Sequence, residues 1–224
     1  MTYAVEYWFT YFALGGNMIK TSYIILLLAL LFASLSDLLI PVIIGRKYPG
    51  YHHHIHTIST LGTKDSPVKK QQCLNLIIVG LLFLVFAIGQ YFFFKYKTWA
   101  VNWYTIGILI FGIGCILAGL FPEDIKNTPE TINGKIHGIA SGIGFLFLIM
   151  NPIWAISIKD FGCNRIINSV LFVIGIVTFA LFIISENKER GFLKYTGLFQ
   201  RMNLIALYMV LILNYVVLRK IFET

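Results

Sequence analysis

Six runs of hydrophobic residues, each about 20 long and broken only by isolated polar positions, divide the chain at Tyr23 to Ile44, Leu74 to Phe94, Trp99 to Phe121, Ile136 to Ile158, Ile166 to Ser185 and Phe199 to Leu218. A bilayer core about 30 Å thick is crossed by roughly 20 residues of helix, so each run is long enough to span it. Backbone amides and carbonyls find no partners in lipid, and a helix satisfies them within the segment. The pattern predicts an all-α polytopic membrane protein: a bundle of six transmembrane helices forming one integral membrane domain over residues 1–224.

The first twenty residues, "MTYAVEYWFTYFALGGNMIK", are also apolar, but they contain Glu6 and a Gly-Gly pair and carry aromatics at Tyr3, Tyr7, Trp8, Phe9, Tyr11 and Phe12. Aromatic side chains with polar edges favour the headgroup zone. We expect an N-terminal interfacial helix leading into the first span, with a seventh inserted segment as the alternative. The stretch has neither the basic start nor the small-residue cleavage site of a secretory signal, so it is expected to stay in the mature protein.

Composition agrees with the pattern: 58% of residues are hydrophobic, 12% are charged, and the mean hydropathy is +0.78. These values place the chain among membrane proteins. The net charge of +8 comes from 18 basic residues scattered over loop ends. Anionic lipid headgroups are their expected counterpart, and nucleic acid is not. Cys73, Cys115 and Cys163 show no CxxC or Cys/His spacing, so neither a disulfide nor a cysteine metal site is expected. No cofactor is implied.

With six spans, the loops after spans one, three and five share one face of the membrane. Loop one, Gly45 to Gln72, contains "HHHIHTISTLGTKDSP"; loop three, Pro122 to Lys135, opens with Glu123 and Asp124; loop five, Glu186 to Leu198, begins "ENKERG". The even loops, "KYKT" and "KDFGCNR", are little more than turns. Asp37 lies about two turns before the loop-one end of span one, roughly 10 Å deep at 1.5 Å per residue. His137 and Ser141 are four apart at the loop-three end of span four and share a helix face. A carboxylate inside a span costs on the order of 3 kcal/mol, so Asp37 needs a partner or a wet cavity. Arg201, His137 or a loop-one hydroxyl could serve. Sidedness is signalled both ways: the motif loops with Arg201 carry 11 of the 18 basic residues, while each short even loop carries two.

Four ordered motifs, "YPGYHHHIHTISTLGTKDSP", "GLFPED", "HGIAS" and "RGFLKYTGLFQR", resemble the prokaryotic six-span family catalogued as domain of unknown function 998, over nearly the whole chain. A more remote similarity is to eukaryotic six-span proteins linked to autophagy modulation and lipid-anchor remodelling. The resemblance implies six spans with the polar motifs on one side, in the inner (cytoplasmic) membrane of a prokaryotic cell. It carries no settled activity.

Each motif also has a plainer explanation. His52, His54 and His56 would project together from an extended strand, yet no adjacent carboxylate or cysteine closes a metal site, and none is expected. Thr57, Ser59, Thr60 and Gly62 suit hydrogen bonding to a phosphate or carboxylate, or serve as an ordered cap satisfying its own backbone. "FPED" could simply end a span, and Arg201 could anchor span six at the headgroups. Their convergence on one face favours a shared ligand-binding site built from Asp37, His56, Thr57, Ser59, Asp124, His137, Ser141 and Arg201. Its expected occupant is a membrane lipid headgroup or a small anionic ligand. The alternatives are a lipid-directed membrane enzyme using His/Asp acid–base or metal chemistry, and a structural or regulatory component whose loops bind a partner. No HExxH, GxSxG or similar signature is present.

Overall fold

The computed structural model describes residues 2–94, 97–126, 128–159, 165–186 and 191–218, with side chains from Lys20 to Val217 within those ranges. Cys163, the centres of both even loops and most of "ENKERG" lie outside the described residues, as do the side chains of the N-terminal aromatics. The chain runs α1 (Thr2–Gly45), α2 (Lys69–Phe93), α3 (Trp99–Leu120), α4 (Ile132–Ser157), α5 (Arg165–Ser185) and α6 (Thr196–Leu218), with short 3-10 turns at Ser59–Gly62 and Phe192–Lys194. Six of these helical stretches, beginning with Lys20–Gly45, are long and apolar enough to cross a bilayer. The chain is an integral membrane protein.

Several helices start earlier than the hydrophobic runs. α2 begins at Lys69 and α4 at Ile132, because a polar first turn keeps helical backbone while leaving the hydrocarbon. The N-terminal segment differs more. Residues 2–45 form one uninterrupted helix, roughly 66 Å long at 1.5 Å per residue, so the segment runs without a break into the first span, which begins at Lys20. Glycine costs about 1 kcal/mol in a helix interior but keeps its N–H, so Gly15-Gly16 lowers helix propensity without breaking the ladder.

α3 packs against α2 and α4, α1 against α2 and α6, and α5 against α6 and α4. α3 and α6 are the most enclosed, whereas α5 is the most open to lipid. α2 and α3 touch backbone to backbone at Gly80, where a Cβ would strike the carbonyl of Gly112. The lipid-facing stripe of α1, at Leu28, Phe32, Leu35 and Leu39, is more than half exposed, which an aqueous surface would not support.

Buried polar side chains join helices. Ser36 donates to Asn75 across α1 and α2 (2.6 Å), Asn151 to the Tyr104 carbonyl across α4 and α3 (3.1 Å), and Asn168 and Asn214 bond reciprocally across α5 and α6 (3.0 and 2.9 Å). Such bonds contribute about 0.6–2 kcal/mol each in a membrane. These residues serve as glue between helices; Gln90 and Thr105, toward the even-loop end, are buried as well but have no side-chain hydrogen-bond partner among the described residues.

Candidate functional site

The site begins with how loop one is fastened. Arg201, in the second turn of α6, points its guanidinium back at the loop: Nη1 donates to the carbonyls of His53, His56 (3.1 Å) and Gly197 (2.9 Å), and Nη2 donates to the Tyr51 hydroxyl (2.7 Å). Tyr51 then donates to the Thr57 carbonyl (2.9 Å). The first amides of a helix lack intrahelical acceptors; here Gly197 and Leu198 donate to the carbonyls of Ile55 (3.1 Å) and His54 (3.0 Å). The loop lies so close to α6 that a Cβ on Gly197 would collide with the His56 carbonyl. The histidine run thus holds α6 through its carbonyls. Its rings pack instead, with His56 stacked on Tyr51 (5.5 Å) and His53 edge-on to it (5.1 Å). Burial, and then the neighbouring His52, pull the His56 pKa below the usual imidazole value.

Past the clamp the loop turns inward. Thr57 Oγ1 accepts from the Thr60 amide (3.2 Å) and bonds the Thr60 hydroxyl (2.9 Å), closing the 3-10 turn. Ile58 and Leu61 are buried beneath it, and the Ile58 amide donates to Gln200 Oε1 (2.7 Å). That backbone donor fixes which end of the Gln200 amide is oxygen, and among the described residues its nitrogen has no hydrogen-bond partner.

Loop three prepares the facing wall. Pro122 disfavours helical backbone at the preceding residue; α3 accordingly stops at Leu120, and Phe121 adopts φ −117°, ψ 86°. The carbonyls of Ala118 and Phe121 are left pointing off the helix end. Asp124 accepts from the Thr131 amide and hydroxyl (2.7 Å each), and Thr131 caps α4 by accepting from Gly134 (3.2 Å). These two bonds, the amide first, hold the Asp124 carboxyl below the usual range.

That cap sets His137 in the second turn of α4, 5% exposed, with Nδ1 facing the carbonyls of Phe121 (3.1 Å) and Ala118 (3.3 Å) and Nε2 facing Ser59 Oγ (3.0 Å). Carbonyls only accept, so Nδ1 carries the proton and Nε2 accepts from the Ser59 hydroxyl. The two carbonyls thereby fix the tautomer and the orientation of the ring.

The Ser59–His137 bond lies between two spaces. Inside it is a cavity of about 40 Å³, walled by Leu76, Phe111, Phe145 and Leu204 and carrying Asp37, Ser59, Ser141 and Gln200. Asp37 is 3% exposed; Tyr208 donates to its Oδ2 (2.5 Å), and its Oδ1 has no protein partner. A water needs roughly 10–15 Å³ of such space, so about three waters fit and can solvate Oδ1. Outside lies a vestibule of about 810 Å³, bounded by loops one, three and five and lined by His56, Thr57, Asp124 and His137. Glu123 also lines it. Desolvation, followed by the charges of Glu186 and Asp124, pushes its pKa up to about 7.

Of the expected site residues, seven border one of these two spaces, and Arg201, committed to loop one, borders neither. The partner of Asp37 is Tyr208, not the expected Arg201, His137 or loop-one hydroxyl. Tyr208, Gln200 and Glu123 join the site beyond those expected. Tyr208 falls seven residues after Arg201, hence on the same helix face, a spacing that marks it in the sequence. Among the described residues no three His, Cys, Asp or Glu side chains converge as a metal site would need, and Cys73 and Cys115 are free thiols.

No curated protein and no solved structure matches the chain. A family match does cover the bundle almost end to end. Residues 31–217 fit the family described as "Protein of unknown function (DUF998)", and the chain belongs to that family.

Proposed function

We propose that the protein binds the polar headgroup of a membrane lipid in the vestibule, in the inner membrane of a prokaryotic cell. The observation that carries this reading is the vestibule itself: about 810 Å³, built from all three odd loops at the end of the bundle. Small-ligand sites measure about 300–1,000 Å³, so the space suits a headgroup. Charge favours its chemistry. Among the described residues the lining holds five carboxylates, Asp65, Glu123, Asp124, Glu130 and Glu186, against two lysines, Lys126 and Lys194. The guanidinium expected to hold an anion is taken up by loop one. An amine-bearing headgroup therefore fits better than an anionic ligand.

Native mass spectrometry of protein extracted in mild detergent tests the reading. We expect a copurifying lipid with an amine headgroup, retained less in Glu123→Lys. Copurification of anionic lipids alone, or of no lipid, overturns it.

A further inference from the structure

We propose that Ser59 and His137 are a nucleophile and its general base, and that the protein transfers or hydrolyses the acyl group of an ester-bearing lipid at the floor of the vestibule. The inference rests on the headgroup-binding reading for the arrival of the ester and goes beyond it in assigning chemistry.

Three requirements of such a pair are met. The serine hydroxyl donates to Nε2 at 3.0 Å, within the reach a base needs. The other ring nitrogen is held by something that fixes the tautomer and orients the ring. In Ser-His-Asp enzymes that is a carboxylate; here the carbonyls of Phe121 and Ala118, at the negative end of α3, stand in its place. A donor is also available for the charge that develops on the attacked carbonyl oxygen. Gln200 borders the same cavity as Ser59, its Oε1 is tied to the amide of Ile58 next door, and its NH₂ is unclaimed. Ser59 borders the inner cavity and His137 borders the vestibule, so the pair sits at the boundary that an ester next to a bound headgroup reaches.

The cycle balances with one co-reactant, water or a lipid hydroxyl. Ser59 Oγ attacks the ester carbonyl carbon while its proton passes to His137 Nε2. The bond from that carbon to the alcohol oxygen breaks, and the departing oxygen takes the proton from Nε2. The acyl group is now on Ser59. Water, or a second lipid hydroxyl, attacks it with His137 again accepting the proton, releasing a fatty acid or a new ester and restoring the serine.

The plainer role for the bond is a latch between loop one and α4, and one experiment separates the two. The full-length protein in detergent is treated with an alkyl fluorophosphonate, in which a serine oxygen displaces fluoride from phosphorus, and the adduct is located by peptide mass spectrometry. We expect a single adduct on Ser59, absent in Ser59→Ala, formed at least about 100-fold more slowly in His137→Gln. In the wild type the labelling rate should fall as acid protonates Nε2, a readout that does not depend on any variant folding. No adduct on the wild type, an adduct elsewhere, or a rate indifferent to both His137 and acid overturns the proposal. Retained lipid with no Ser59 adduct removes the chemistry alone. A Ser59 adduct in a protein that copurifies no lipid removes the headgroup reading and leaves the nucleophile standing.

Discussion

The two halves of loop one do opposite work. "YHHHIH", Tyr51 to His56, is the conspicuous half, yet its contribution is largely backbone: four successive carbonyls, His53 to His56, accept from Arg201 and from the first amides of α6. "TISTLG", Thr57 to Gly62, looks like ordinary turn sequence, yet it delivers Ser59 to His137. The difference teaches that unusual side chains do not by themselves mark a chemical site. The histidine half supplies the anchor, and the hydroxyl half, held still by that anchor, supplies a pre-positioned donor.

Breaking the anchor should have the largest effect. Arg201→Ala removes four hydrogen bonds from a charged donor, and at about 1.5–3 kcal/mol for such a bond, with partial replacement by water, the net loss is about 3 kcal/mol. For a chain of this length that lowers Tm by on the order of 10 °C in a thermal melt. Arg201→Lys should recover little, because one ammonium cannot reproduce the planar fork. Tyr51→Phe comes next, at about 1.5 kcal/mol, because its hydroxyl both accepts from Arg201 and donates to Thr57. The double variant should cost clearly less than the sum of the two, as expected for residues sharing one network. Ser59→Ala combined with Arg201→Ala should also cost less than the sum in Tm, because the anchor holds Ser59 against His137. Full additivity there would show that the two halves act independently.

Much of this architecture is legible in the sequence because the bilayer imposes a length and a period. Six runs near 20 residues give six helices, and loop parity puts the vestibule's lining on one side. What resists reading are the features that depend on how helices rotate and where a loop turns. Asp37 and Tyr208 are 171 positions apart and meet because α1 and α6 present those faces to each other. Arg201 looks like a free cation because its acceptors are carbonyls, which every residue has. Ser59 and His137 can be placed on one face from sequence, but their bond depends on the inward turn after Tyr51, which the Tyr51–Thr57 bond helps to make. Gly15-Gly16 misleads in the other direction, since a pair of weak helix formers is not a stop.

A moderate effect, and one that sharpens the comparison from the vestibule side, is set by Glu123. Its pKa is raised to about 7 in the folded protein, above the ordinary glutamate value of about 4.3 in the unfolded chain. Between those values the folded state keeps a proton that the unfolded state has lost. The wild type therefore loses stability as pH rises from about 4.3 to about 7 and levels off above. Because the side chain is half-buried, solvent screening trims the full linkage to on the order of 1 kcal/mol. Glu123→Gln should remove that slope, gaining about 2–4 °C in Tm over the wild type between pH 5 and pH 8. Parallel melting curves for the two proteins across that range would mean that Glu123 faces bulk water and does not feel Glu186 and Asp124.

The smallest effect should come from the most eye-catching residues. His52 and His54 are exposed; their rings stand about 6 Å from neighbouring rings, His52 near His56 and His54 near Tyr195, and donate no hydrogen bond. What His54 does for the fold is accept from the Leu198 amide through its carbonyl, and any residue supplies that group. Replacing both with Gln removes ring contacts at the surface and nothing beneath, so stability should change by less than about 0.5 kcal/mol, and lipid retention should not change. The same variant tests metal binding: added zinc should raise the Tm of parent and variant alike or of neither. A drop as large as that of Tyr51→Phe would mean that the rings, not the carbonyls, fasten the loop. Zinc stabilisation confined to the parent would give the histidine half a chemistry of its own and erase the division of labour between the two halves.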